Sequence, residues 1–280
     1  LEPKNFSKIA KTSLRELGNV SLFDGNNLSK FIIDKDVLFI RLAHFINQKF
    51  LNQAKNLKYL CSPTTGTNHI DLDKCEKSGI KVISLKGESS FLYNIRATPE
   101  HTFGLIISII RNYKNAFLNQ KNDIWNKEPY TGVELYKNSI GIIGFGRVGK
   151  ILAKYFEAFG AKVFFFDQDD KVKEVYGAVK MSSIENVLNN SNIIILCTSY
   201  LDSNKCFFNK KYIDLLENKY FINTSRGENI IENYLMLKIQ QNFFKGVAID
   251  TIQNEQSKNN LEMLLKLTRK FNLIITPHIS

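Results

Sequence analysis

The chain has 280 residues, 44% hydrophobic and 12% aromatic, with a formal net charge of +11. That apolar fraction excludes wholesale disorder, and the length suits one large domain or two ordinary ones. The longest nearly continuous apolar run, Phe103 to Ile110, is broken by Ser108. It falls well short of the roughly 20 residues that span a bilayer, so no membrane partner is expected.

In chain order, Asn19–Phe23, Asp36–Arg41, Leu57–Ser62 and Lys81–Leu85 are partly β-branched apolar runs of strand length. Helix-like segments, Asn47–Ala54 and Leu72–Ser78 among them, lie between these runs. Ala97–Asn112 reads as a longer helix, with Pro99 in its first turn, where a missing N–H costs nothing. Further strands are predicted at Ser139–Ile143, Lys162–Asp167, Asn192–Thr198, Tyr220–Asn223, Gly246–Asp250 and Leu273–Thr276, with helices such as Arg147–Phe159 and Ile231–Asn242 between them. Such alternation implies parallel sheets covered by helices. The expectation is two α/β units with a boundary near Ile95: residues 1–95 and 96–280.

Cys61, Cys75, Cys197 and Cys206 form no CxxC pair and have no histidine at zinc-finger spacing. They read as free thiols in a reducing, cytoplasmic compartment, and no metal is expected. Only seven of the basic residues are Arg, and the Lys are spread along the chain. The charge therefore reads as a solvated basic surface without a nucleic-acid partner, although its field would attract anionic ligands.

The strongest local signal is Gly144-Phe145-Gly146-Arg147-Val148-Gly149. An apolar strand runs into it, and Val148, Ile151, Leu152, Tyr155 and Phe156 then mark one face of an amphipathic helix. Gly144 suits a tight turn, Gly146 a close approach to pyrophosphate, and Gly149 close helix–strand packing. The helix start offers unpaired N–H groups to phosphate. The same stretch nearly spells a P-loop, but Ile151 stands where magnesium would need Ser or Thr. Asp167 ends the next strand, 18 residues beyond Gly149. A carboxylate there would accept both ribose hydroxyls of NAD and repel a 2′-phosphate.

Arg226, Glu255 and His278 each follow the carboxyl end of a predicted strand, the edge where open α/β sheets bind ligands. Separations of 29 and 23 residues put them in order along the chain.

With Gly132-Val133-Glu134-Leu135, Asn223-Thr224-Ser225-Arg226-Gly227, Gly246-Val247-Ala248-Ile249-Asp250 with Glu255, and Thr276-Pro277-His278, the chain resembles the D-isomer-specific 2-hydroxyacid dehydrogenases. The resemblance covers nearly the whole sequence and is densest from Trp125 to His278. It implies a Rossmann-type NAD-binding domain and a smaller flavodoxin-like α/β substrate domain. It casts Arg226 as the clamp on a keto-acid carboxylate and carbonyl, His278 as the proton donor, and Glu255 as the carboxylate favouring imidazolium.

By the same resemblance Arg147, Val148, Thr198, Thr224 and Ser225 would line NAD, and Asp250 would contact its carboxamide. Backbone N–H groups of the loop Thr64-Thr65-Gly66-Thr67 would hold the substrate carboxylate, and Arg41 resembles a phosphate-binding position of phosphoglycerate dehydrogenases. The substrate implied is a small 2-hydroxy or 2-keto acid, with a slight lean to D-3-phosphoglycerate over glyoxylate or hydroxypyruvate. The rival is a dinucleotide-sensing scaffold of the corepressor type. A homodimer is implied, as commonly formed by members.

Departures are Cys197 and Ser199, where many members carry His and Pro, Gln256 in place of Pro, and Thr67 and Asn68 in place of Val and Asp. Against the family pattern both ends look cut: the first strand would be shortened and the C-terminal return helix missing.

Overall fold

The computed structural model describes residues 1–2, 6–119, 127–253, 255 and 258–280, so Trp125 and Gln256 lie outside it. The chain divides into two compact units, Leu1–Leu92 and Tyr93–Ser280.

The first unit is built on a parallel sheet of β1 (Val37–Phe39), β2 (Tyr59–Ser62) and β3 (Lys81–Ser84), with β2 in the middle. The helices α1 (Lys8–Leu17), α2 (Leu28–Ile32), α3 (Gln48–Leu51) and α4 (Leu72–Lys77) precede or separate these strands, and α5 (Ser89–Tyr93) follows them. Polar residues start the helices: the side chains of Ser7, Asn27, Asn47 and Asp71 each accept a first-turn N–H. Ile32, Leu38, Ile46, Phe50 and Leu60 form the core. No residue of α1 is buried. The run Asn19–Phe23, expected as a strand, joins no ladder among the described residues. Leu22 on it is 48% exposed, so the run lacks both the pairing and the burial that a strand requires.

The second unit is a seven-stranded, all-parallel sheet. In chain order its strands are β4 (Ser139–Ile143), β5 (Lys162–Phe166), β6 (Val179–Lys180), β7 (Ile193–Leu196), β8 (Tyr220–Asn223), β9 (Gly246–Ile249) and β10 (Leu273–Ile275). In space the order is β10-β9-β8-β7-β4-β5-β6, so the winding reverses between β4 and β7. That gap is the topological switch point of a doubly wound sheet. The two-residue strand β6 was not foreseen.

The helices of this unit are α6 (Ala97–Ile110), α7 (Tyr113–Asn119), α8 (Arg147–Ala158), α9 (Ile184–Asn189), α10 (Lys210–Asp214), α11 (Glu232–Gln240) and α12 (Lys258–Thr268). Alternate strand residues feed two cores. Ile140, Ile142, Ile193, Ile195 and Ile222 pack with Ile106 and Ile109 of α6 and with Leu152 and Phe156 of α8. Ile194, Leu196, Phe221, Val247 and Ile249 pack on the other face with Val187, Ile213, Leu235 and Leu264. Each fully buried side chain of this size contributes about 1.5–3 kcal/mol, so the sheet is fixed from both sides. Lys114 on α7 adds a polar tie. Its ammonium donates to the carbonyls of Thr268, Phe271 (2.8 Å) and Leu273 (3.1 Å), where α12 ends and β10 begins.

Candidate active site

The glycine turn closes β4 onto α8. Gly144 has φ +89°, and a Cβ there would lie 2.9 Å from the backbone of Cys197 and Thr198. A Cβ on Gly149 would lie 2.7 Å from the Gly144 carbonyl oxygen, so helix and turn pack as the spacing predicts. Gly146 behaves oppositely: a Cβ there would meet nothing within 4 Å. No side chain caps α8, and no acidic residue lies in its first turn. Open space beside uncapped N–H groups at a positive helix end fits a diphosphate.

The Asp167 carboxylate accepts the Phe145 N–H at 2.7 Å and the Asp169 N–H at 3.0 Å. It is thereby fixed beside the turn, and each of its oxygens keeps a further lone pair for a ribose hydroxyl. A cavity of about 400 Å³ opens at the switch point, lined by Gly144, Gly146, Asp167, Gln168, Thr198 and Leu201 among others. Beside it burial pushes the Cys197 thiol up to about 12, so that sulfur stays protonated.

The other cofactor residues expected from the sequence are placed as follows. Val148 and Arg147 open α8, and the Arg147 guanidinium donates to the Ile95 carbonyl at 2.8 Å. Burial, with a smaller effect from Arg96, holds the Arg147 guanidinium below its ordinary value. Thr224 and Ser225 are buried after β8, where the Thr224 hydroxyl lies 2.7 Å from that of Thr102. Sequence reasoning missed Asn229. It is fully buried, and its amide nitrogen lies 3.1 Å from Thr198 Oγ1 and 3.3 Å from Ser225 Oγ, joining the ends of β7 and β8.

Local hydrogen bonding presents Arg226. The Asn223 side chain accepts from the Ser225 N–H and hydroxyl at 3.0 and 2.8 Å, and donates to the Arg226 carbonyl at 3.2 Å. This is an Asx-type turn held by one amide. Gly227 next to it permits contact with the following loop, because a Cβ there would lie 2.1 Å from Ile252 backbone. That loop is braced again by Glu232, which accepts the Gln253 N–H at 2.6 Å. Burial pushes the Arg226 guanidinium down, while Glu228 and Glu255 act in the opposite sense.

Glu255 in turn reaches His278, with its Oε1 2.7 Å from Nδ1. The oxygen lies off the N–H direction, so the contact is close without being an aligned hydrogen bond. His278 itself has φ +51°, a left-handed conformation costing on the order of 1 kcal/mol for a residue with a Cβ. Its backbone N–H donates to the Asp250 carbonyl at 2.9 Å. Glu255, 23 positions before His278, thus lies against it and acts electrostatically on Arg226.

Asp250, cast as a carboxamide contact, has a fully buried side chain. It accepts from the Thr276 hydroxyl at 2.5 Å and from the N–H groups of Ile279 and Ser280 at 3.1 Å each. Burial alone would raise its carboxyl, but the hydrogen bonds from Ser280, Thr276 and Ile279 outweigh burial and leave it below the ordinary value.

In the first unit the loop after β2 is shaped by the Thr64 hydroxyl, which donates to the Gly66 carbonyl at 2.8 Å. The N–H groups of Thr65, Gly66 and Thr67 have no hydrogen-bond partner among the described residues. Arg41 lies against Glu2, whose carboxylate accepts the Arg41 backbone N–H at 2.6 Å and stands 3.6 Å from its Nε. Among the described residues no group of His, Cys, Asp and Glu could hold a metal, and no helix is long and apolar enough to cross a membrane.

The fold and the glycine turn define a dinucleotide-binding α/β domain. A family profile described as "D-isomer specific 2-hydroxyacid dehydrogenase, NAD binding domain" matches residues 103–280, and the chain belongs to that family. It is 30% identical over 248 residues to the D-3-phosphoglycerate dehydrogenase of Bacillus subtilis, covering 87% of this chain and 45% of that protein. It is 28% identical over 255 residues to the hydroxypyruvate reductase of Thermotoga maritima, covering 91% of this chain and 80% of that protein. The crystal structure of D-lactate dehydrogenase from Aquifex aeolicus, complexed with NAD and lactic acid, superposes with a TM-score of 0.85 at 26% identity. That match covers 99% of this chain and 86% of the other. The chain spans about half the length of the first curated relatives it matches, at 45% and 50%.

Proposed function

We propose that the protein is an NAD-dependent oxidoreductase that interconverts a small D-2-hydroxy acid and its 2-keto acid. One observation carries the reading. Five strands adjacent in space, β4, β7, β8, β9 and β10, lead at their carboxyl ends to Gly144, Thr198, Arg226, Glu255 and His278 respectively. The phosphate cradle and the charged group thus share one edge of one sheet. Residues 96–280 act as the NAD-binding domain and residues 1–95 as the substrate domain.

Gly144, Gly146, Arg147, Val148 and Gly149 hold the diphosphate, Asp167 the adenosine ribose, and Thr198, Thr224 and Ser225 the remaining wall. When bound, NADH supplies the hydride. Arg226 binds the keto-acid carboxylate and carbonyl with its planar fork of donors. His278 gives a proton to the carbonyl oxygen as the alcohol forms, and takes it back in the reverse direction. Glu255 stabilises the imidazolium between these steps. Thr65, Gly66 and Thr67 offer their unpartnered N–H groups to the substrate carboxylate. A substrate phosphate could reach Arg41 only by displacing Glu2, whose carboxylate stands 3.6 Å from Nε. The pairing of Arg41 with Glu2 favours an unphosphorylated substrate such as hydroxypyruvate or glyoxylate over phosphoglycerate. The protein acts as a cytoplasmic homodimer on this reading, which sedimentation of the purified protein checks.

The test is oxidation of NADH by the full-length protein with glyoxylate, hydroxypyruvate and 3-phosphohydroxypyruvate. Turnover of at least one is expected. Tight NADH binding without turnover of any would replace the enzyme with a dinucleotide sensor.

A further inference from the structure

We propose that His101 on α6, acting through Thr276, is a positioning residue that locks the turn presenting His278. The inference rests on His278 being the proton donor of the proposed reaction.

Three observations converge. First, the Asp250 carboxylate gathers the turn around His278: Oδ1 accepts from Thr276 Oγ1 and the Ile279 N–H, and Oδ2 accepts from the Ser280 N–H. Its three donors lie on both sides of His278 in sequence. Second, His101 Nε2 lies 3.0 Å from Thr276 Oγ1 and 3.4 Å from Asp250 Oδ1. Third, the Thr276 hydroxyl has one proton, and at 2.5 Å that proton belongs to Asp250. The Thr276 oxygen can therefore only accept from His101. The tautomer follows: Nε2 carries the proton, and the order is Nε2–H to Oγ1, then Oγ1–H to Oδ1.

The source of this anchor matters. His101 stands on a 14-residue helix whose Thr102, Leu105, Ile106 and Ile109 are buried, so it cannot drift with the loop. The Glu255–His278 contact is close but misaligned, and the His278 backbone is left-handed. Both conditions make ring placement sensitive to any slack in the turn. The polar partners of His101 are Thr276 and Asp250, so its influence on the reaction runs through the turn.

The experiment compares His101→Leu, His101→Gln and Thr276→Val in the full-length protein. Leu removes the Nε2 donor, whereas the Gln amide can restore a donor near the same place. For His101→Leu, kcat falls at least tenfold, since small misplacements of a reacting group cost up to about 10²-fold. Its KM for the keto acid and its Kd for NADH, read by fluorescence, stay within about twofold. His101→Gln recovers most of the rate, and Thr276→Val reproduces the loss.

A second readout needs no turnover. The ring ¹⁵N resonances of His278 move in His101→Leu and return in His101→Gln. If the wild-type protein binds NADH but reduces no keto acid, the proposed function fails and the resonances alone judge the inference. If His101→Leu does not fold, Thr276→Val carries the test. Unchanged kcat and unchanged His278 resonances in the folded variants would overturn the inference, as would a Gln variant as slow as the Leu variant.

Discussion

The two sheets differ in what covers them. In the second unit every residue of β7, β8 and β9 is buried, and alternate side chains enter separate cores. In the first unit β3 has no fully buried residue, and Val37, Tyr59 and Ile83 are each more than 40% exposed. The glycine turn and the Arg226, Glu255 and His278 group stand on the doubly covered sheet. The expected carboxylate loop stands on the thin one. Arg226, Glu255 and His278 thus follow strands that packing has fixed, whereas the loop Thr64-Thr65-Gly66-Thr67 follows a strand of a more lightly covered sheet.

The contrast is most directly broken by two truncations. Leu196→Ala, in a fully buried strand, should cost about 2–5 kcal/mol, whereas Ile83→Ala, 47% exposed on β3, should cost well under 1 kcal/mol. Urea unfolding of both variants measures this, and equal losses would refute the contrast. His278→Ala should lower kcat on the order of 10²-fold or more while leaving the unfolding midpoint near that of the parent. A comparable loss of stability would mean that the site braces its own sheet.

Asp167→Ala should weaken NAD binding by about tenfold, as loss of charge-assisted hydrogen bonds implies. It should also narrow the preference over NADP, which titration with both nucleotides reads. The smallest effect is a pH dependence. The Asp250 carboxyl lies below its ordinary value in the folded protein, so it contributes stability that is complete above the unfolded value. That contribution disappears as pH falls through the lower, folded value. Asp250→Asn should therefore flatten the acid limb of the stability profile below about pH 4. An unchanged limb would mean the turn does not depend on the charge.

Much of the second unit was legible because its strands are continuous apolar runs punctuated by glycine turns. Ser139–Ile143 and Tyr220–Asn223 were placed to the residue, and other strands were overrun by one or two positions where the ladder stops. The first unit was harder to read. Asn19–Phe23 has strand composition, but composition does not supply a neighbour to pair with.

The resemblance to the family casts Arg226, Glu255 and His278 as one group, and the structure puts Glu255 Oε1 2.7 Å from His278 Nδ1. What holds these residues in place was not legible in the sequence. Asn223, Asn229, Thr276 and His101 are ordinary polar residues in sequence, and their partners lie up to 175 positions away. A polar residue inside an apolar helix, as His101 and Thr102 are in α6, was the available signal. Asp250 is a further case: its carboxylate is enclosed by donors from the distant turn Thr276–Ser280, a feature that no motif spacing encodes.

The reversal of winding also sets an assembly problem. Ile140 of β4 pairs on one edge with Val163 and on the other with Ile193, some fifty positions downstream. During synthesis that second edge must wait, carrying unpaired amides and isoleucines, until β7 has left the ribosome. Long-range parallel pairing of this kind is slow and prone to aggregation. The gap that later admits a nucleotide is thus also the seam of the sheet exposed longest to chaperones.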